Sequence, residues 1–456
     1  MDIDKLILAS YTPRGFYIEL GEPPFSGPGP DGTLIFPPQS FSVFMHEVAH
    51  LVQDRSTFRG AIDFLDHWDR VTAIAGHVRS LNGDLEIPLF NTNTNLSRLG
   101  AETHWAAETE RIRRLREPRF EWLSKQRAWA YSRHEIYLKT VPLLGRKIDF
   151  PVVTIFFVDN VTGNGYEHVL GAWEIKEAYS VAVEMIHGAP SPEYGGVDFE
   201  YLVVERILNY FFGEVSPKQI VALCHWCLQD LAPANTFFSY IEHFKDGRLP
   251  DPESIYRYAR NEALERGFRQ NVEDILSKLE EYSRTLAAGE SMKLLFDWYY
   301  THSIKLLNLH LDERRLFPLD TFLCDADPYA PAEVQNAGLK IFFQEVEVPL
   351  IVWPNGETTS ISLDSEVAAA AVFLNQAVFH LSHQLWTATS TSWGCPNFRG
   401  CQLPMKEDNE CKQSPWKKVR HMPACPYGAA AKLMGIQEGT SIVSSPFKLP
   451  QEDWGS

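Results

Sequence analysis

The chain has no surplus of positive charge, no long unbroken apolar run and few cysteines. Its 456 residues carry 42 Lys and Arg against 59 Asp and Glu, a formal net charge of −17. Such a surface is repelled by phosphate backbones, which argues against nucleic acid as a partner. The longest apolar stretch, Val367 to Leu381, is interrupted by Asn375, Gln376 and His380. It is too short and too polar to span a bilayer, so no membrane partner is expected. The opening residues, Met1-Asp2-Ile3-Asp4-Lys5-Leu6, lack the apolar core of a secretory signal, and the expected location is cytoplasmic. There the seven cysteines should be reduced or metal-bound, not disulfide-bonded. Internal repeats and low-complexity tracts are absent as well.

What is present is enough apolar material for well-buried cores. Hydrophobic residues make up 45% of the chain, with 12 Trp, 17 Tyr and 28 Phe, which excludes a disordered chain. The length exceeds what one simple core fills. The patterns predict a mainly α fold with small β elements, in three regions. Residues 1–198 hold short strands around 5–36, a helix following Pro37 and Pro38, and further helices over 60–83 and 97–140. They end with a β-type run, Pro151–Val158, and a helix around Glu177. Residues 199–320 are almost wholly helical, with Ser216-Pro217 and Asp251-Pro252 as helix starts. Residues 321–456 carry a hairpin about the turn at 354–357, a helix over about 365–389 and a cysteine-rich tail. A basic run, Arg111, Arg113, Arg114, Arg116 and Arg119, alternates with glutamates and reads as the wet face of a helix.

The strongest chemical signal is His46-Glu47-Val48-Ala49-His50. About 0.04 HExxH matches are expected by chance in a chain of this composition. The segment reads as a buried helix, with Ser40 as its N-cap and Phe41, Phe44, Met45, Val48, Ala49, Leu51 and Val52 as its apolar body. Residues four apart share a helix face, so His46 and His50 can offer two neutral imidazoles to one Zn²⁺. Glu47 stands beside them as a base for water. Gln53 lies seven residues after His46 and returns to the same face, where it can orient a ligand histidine or lie on the helix surface. Gln53 is followed by Asp54, Arg55, Ser56 and Thr57, so no third histidine completes a metzincin pattern.

A catalytic zinc usually takes three protein ligands, so a third must come from elsewhere. The segment Leu170 to Glu184 has helical spacing, and Glu177 lies among its apolar residues. Gly171 and Glu177 stand in a G-x5-E-A arrangement after the HExxH helix. In these two segments the chain resembles the glutamate-zincin (gluzincin) metallopeptidases. The resemblance implies a zincin-like helical core in which Glu177 completes the zinc site. Glu174 on the same helix and Glu108 farther upstream are the alternatives.

The tail holds Cys395, Cys401, Cys411 and Cys425 in the spacing C-x5-C-x9-C-x13-C, among six prolines and glycines, with little apolar periodicity. Four thiolates around a second Zn²⁺ or an iron–sulfur cluster would hold it together. Cys224-His225-Trp226-Cys227 sits in an apolar helical pattern and reads as core packing in preference to a redox pair. His380 and His383 read as a helix face or a core hydrogen bond.

The expected protein is thus a zinc-dependent hydrolase, a metallopeptidase acting on a protein or peptide with a zinc-activated water. Zinc would be held by His46, His50 and Glu177, with Glu47 as the base. Two alternatives remain open at this level. One is a binding or regulatory protein on a zincin scaffold with structural metal and a regulatory protein partner. The other is a selective protease in a signalling or defence pathway.

Overall fold

The computed structural model describes residues 9–12, 17–21, 36, 38–81, 84–89, 129–143, 146–160, 162–188, 199–285, 290–312, 314–322, 350–352, 358–359, 366–388, 390–398, 401, 403–404, 406, 408–421 and 425–444. The fold is mainly helical with small sheets. Among the described residues no helix is long and apolar enough to cross a membrane. Glu108, the basic run from Arg111 and the turn at 354–357 lie outside the described residues.

Two short strands, β1 (Ala9–Thr12) and β2 (Tyr17–Leu20), pair antiparallel ahead of helix α1 (Pro38–Ser56). Ser40 is not the N-cap of α1, because the helix already begins at Pro38. Proline suits a first turn, where its missing N–H would have had no partner. Nearly every side of α1 is covered: Phe41, Phe44, Met45, Val48, Ala49, Leu51 and Val52 are all buried. Helix α2 (Phe58–Ser80) follows after one residue, capped by the Thr57 hydroxyl, which accepts from the Gly60 amide at 3.0 Å. A Cβ on Gly60 would run into the Gln53 and Asp54 carbonyls, so the tight α1–α2 corner depends on this glycine.

Strand β3 (Leu85–Ile87) leads on, and a three-stranded antiparallel sheet then forms from β4 (Trp129–Leu143), β5 (Arg146–Asp159) and β6 (Gly165–Leu170). The helix expected to run to residue 140 is therefore corrected over 129–140, which is strand. Tyr131, Ile136, Tyr137, Thr140 and Val141 favour extended backbone, and Ile136 faces Val153 of the apolar run now seen as β5.

Strand β6 passes through Gly171 into helix α3 (Ala172–Ile186), which packs directly on α1. Six helices follow: α4 (Phe199–Phe212), α5 (Pro217–Cys227), α6 (Pro233–Phe244), α7 (Pro252–Glu265), α8 (Phe268–Thr285) and α9 (Glu290–Leu309). Ser216 caps α5 with a reciprocal Gln219 contact, and Asp251 caps α7, as the Ser-Pro and Asp-Pro signals predict. Helices α4 and α5 pack on α3, and α9 packs on α1.

After the short α10 (Leu319–Phe322), strands β7 (Leu350–Val352) and β8 (Thr358–Thr359) pair antiparallel, as the hairpin pattern predicts. Strand β7 also joins β2 in parallel. Helix α11 (Glu366–Thr387) then leads to α12 (Asp408–Gln413), a 3₁₀ turn at Pro415–His421, α13 (Pro426–Leu433) and β9 (Ile442–Ser444), which pairs parallel with β3. The tail has more core than its sequence suggests. Trp393, Trp416, Tyr427, Ala430, Ala431 and Met434 are buried and belong to the same apolar cluster as α1 and α3. The expectation of a tail without apolar packing is corrected accordingly: its apolar residues are spread over short elements and show no long period.

Candidate metal centre

Helices α1 and α3 lie against each other and place three side chains at one point. His46 and His50 come from one face of α1, and Glu177 from the facing side of α3. Their ligand atoms all lie within 4.8 Å of one another, the only such group of three or more His, Cys, Asp or Glu among the described residues. The Nε2 atoms of His46 and His50 are 3.2 Å apart. The Glu177 Oε2 is 3.3 Å from His50 Nε2 and 3.6 Å from His46 Nε2. Ligands at the zinc distances of about 2.0–2.2 Å, arranged tetrahedrally, stand about 3.3–3.5 Å from one another. The three edges therefore have the size of one face of a zinc tetrahedron.

The outer faces of both imidazoles are held. His46 Nδ1 lies 3.2 Å from Oε2 of Glu184, two helical turns beyond Glu177 on α3. His50 Nδ1 lies 3.2 Å from the Gln53 Oε1 and 3.2 Å from the Ser180 hydroxyl. Gln53 is itself fixed, because its Nε2 donates to the Lys176 carbonyl at 2.9 Å and to Ser180 Oγ at 3.1 Å. With the Nδ1 atoms engaged outward, both Nε2 lone pairs can point to the shared centre.

The three groups are electrostatically coupled. Burial opposes charge on His46, yet its hydrogen bonds to Glu177 and Glu184 raise its pKa to about 10. Burial likewise opposes charge on Glu177, yet the His50 and His46 imidazoles hold its carboxyl down to about 2. Oε2 of Glu177 is buried and has the Nε2 atoms of His50 and His46 as its close neighbours. A buried carboxylate oxygen converging with two imidazole nitrogens is a metal-ligand pattern, and this donor set fits Zn²⁺.

Glu174 is not part of this group. Its carboxylate accepts from the Gly171 amide at 2.8 Å and meets His168 Nε2 at 2.9 Å, so it caps α3 and pairs with β6. Glu47 follows His46 on α1, is partly exposed, and adds to the negative field on that imidazole. Beneath the site, Lys176 Nζ reaches Asp54 Oδ1 at 2.7 Å and Asp63 Oδ2 at 3.0 Å, tying α3 to α1 and α2. Arg59 closes on the other oxygen of Asp63 at 2.8 Å.

Several of these roles were not read from the sequence. Glu184 and Ser180 lie seven and three residues after Glu177, and that spacing puts them on its helix face. Tyr201 on α4 has its ring centroid 6.1 Å from the His46 ring, and no motif marks it. Gln53 takes the orienting position that its spacing allows.

The cysteines of α5 are core residues: Cys224 and Cys227 are fully buried free thiols, and burial pushes both pKa values up. His380 makes a core hydrogen bond to the Tyr427 hydroxyl at 3.2 Å. The four tail cysteines are free thiols gathered in one folded segment, but no three of their sulfurs approach as closely as 4.8 Å. Comparison of the chain with protein-family models, curated proteins and solved structures finds no match.

Proposed function

We propose that this protein is a zinc-dependent hydrolase built on a zincin-like core, and that it cleaves peptide bonds in a peptide or protein substrate in the cytoplasm. The observation that carries the reading is the His46–His50–Glu177 triangle, whose edges match a zinc coordination face and whose buried carboxylate oxygen has no hydrogen-bond partner beyond the two imidazoles among the described residues. Three protein ligands leave a fourth position for water or substrate, the pattern of catalytic zinc.

His46, His50 and Glu177 would hold the ion. When bound, zinc supplies Lewis-acid chemistry, polarising a scissile carbonyl and lowering the pKa of water. Glu184 and Gln53 fix the ring orientations and keep the Nε2 atoms available. Glu47, next to His46, is the carboxylate that takes a proton from the attacking water and returns it to the leaving amine.

The test is a comparison of native protein with Glu47→Gln on a complex peptide mixture, followed by mass spectrometry. Native protein should produce new termini, and Glu47→Gln should keep its metal while cleavage falls by about 10²-fold or more. Native, zinc-loaded protein that cleaves no peptide while Glu47 is intact would overturn the reading.

A further inference from the structure

The tail carries a second constellation of metal-ligating groups, on elements other than α1 and α3. Cys395 and Cys411 are joined through their backbones, the Cys395 amide donating to the Cys411 carbonyl at 2.6 Å. Cys425 stands at the N-cap of α13. Burial pushes the Cys395 and Cys425 thiols up, and the neighbouring cysteines add to that shift. Cys401 belongs to the same group, close enough to Cys395 and Cys425 to act on both electrostatically.

Two cations lie in the same segment. Lys406 and Lys412 both lie over the Phe398 ring, three residues after Cys395, at 4.4 and 4.9 Å. The segment is also rigidly held. A Cβ on Gly428 would strike the Lys418 carbonyl, so the 3₁₀ turn and α13 meet only because that residue is glycine. Trp393 Nε1 donates to the Tyr427 hydroxyl at 2.9 Å, and the Asn397 amide side chain donates to the Phe373 carbonyl of α11 at 2.9 Å. Packing thus holds the segment that carries the four cysteines, and none of the four is in a disulfide.

We propose that Cys395, Cys401, Cys411 and Cys425 are the ligands of a second, thiolate-bound metal centre, separate from the site on α1 and α3. Each thiol gives up its proton to solvent on binding. Sulfurs around a single zinc stand about 3.8 Å apart, given Zn–S bonds of about 2.3 Å. No three of the tail sulfurs lie within 4.8 Å of one another, and the elemental analysis below decides between a single zinc and an iron–sulfur cluster.

The experiment uses the full-length protein purified without oxygen, with iron, zinc and acid-labile sulfide measured together with the visible spectrum. Native protein, Cys411→Ser, Cys425→Ser and the His46→Ala/His50→Ala pair are compared. Each cysteine variant should lose all of the tail metal and keep the metal on α1, and the histidine pair should do the reverse. Iron with sulfide and brown colour identifies a cluster, and a second zinc without colour identifies a single-ion site; either supports the centre. Should the cysteine variants fail to fold, X-ray absorption on native protein reads sulfur neighbours at about 2.3 Å directly. Native protein with four freely titrating tail thiols and no sulfur-ligated metal would overturn the proposal, whatever the state of the histidine site.

Discussion

The Nδ1 of His46 lies 3.2 Å from Oε2 of Glu184, while the Nε2 of the same ring faces Glu177. One helix, α3, therefore carries both a candidate ligand and the carboxylate beside another candidate ligand. Glu184→Gln keeps the shape and removes the charge. Zinc affinity is expected to fall by about 10–100-fold, the usual cost of losing a partner of a ligating histidine. Competition titration against a chromogenic chelator measures it, and unchanged affinity would show that Glu184 does not support the site.

Removing the ligands themselves has a sharper outcome. His46→Ala with His50→Ala leaves Glu177 as a buried carboxylate facing no imidazole. The double variant should bind no zinc at this site, read as loss of one zinc per chain by elemental analysis. Full zinc retention, after correction for any held by the tail cysteines, would rule the site out.

Lys176 is the buried tie beneath the metal centre. It bridges Asp54 of α1 and Asp63 of α2 from α3, and these carboxylates raise its pKa against the effect of burial. Lys176→Met removes the one group on α3 that neutralises this pair. The loss should be about 3–5 kcal/mol, since breaking a buried ion pair strands the remaining charge. Urea denaturation of the metal-free protein measures it. A loss below 1 kcal/mol would mean that Arg59 alone suffices for Asp63 and that water reaches Asp54.

His187, at the C-terminal end of α3, gives the fold an acid limit. Its ring meets Phe41 of α1 edge-on at 5.5 Å, and its Nε2 is buried without a hydrogen-bond partner among the described residues. Burial lowers its pKa from 6.5 to about 4. The folded state thus binds this proton less readily than the unfolded state. The stability tied to the neutral ring is fully present above about pH 6.5 and is lost as pH falls toward 4, on the order of 3 kcal/mol in all. His187→Phe should flatten that part of the stability–pH curve. An unchanged slope between pH 6.5 and 4 would place the acid sensitivity elsewhere.

The sequence made the metal centre legible to the extent that its ligands share local helical spacing. His46 and His50 are four apart on one buried helix, and Gln53 returns to their face. Glu177 required a jump of more than a hundred residues. That step was carried by a resemblance; in the fold α3 places Glu177, not Glu174, beside His46 and His50. Strand β4 was misread because Ala130 to Thr140 carries few buried side chains, so its pairing with β5, not its own pattern, sets its conformation. The tail's core was hidden for a related reason. Trp393 lies in a loop, Trp416 in the 3₁₀ turn and Tyr427 on α13, and only their convergence on one another and on α11 makes them a core.

Tyr201 is the residue whose role depends most on tertiary placement. Helix α4 follows α3 and packs on it, which brings the Tyr201 ring to 6.1 Å from the His46 ring, tilted by 59°. A phenol beside a catalytic metal centre can donate to the oxygen on which negative charge develops as water adds to a peptide carbonyl. Such a bond strengthens in the transition state and contributes little to binding of the ground state, so its loss lowers kcat more than it raises KM. Tyr201→Phe keeps the ring against His46 and removes only the hydroxyl. Zinc content and stability should therefore match the native protein, while kcat falls by about 10–10³-fold, the range found for a single oxyanion donor. Steady-state kinetics on any peptide that the native protein cleaves would decide it. A Tyr201→Phe variant with native kcat would confine Tyr201 to packing and leave the oxyanion donor to another residue.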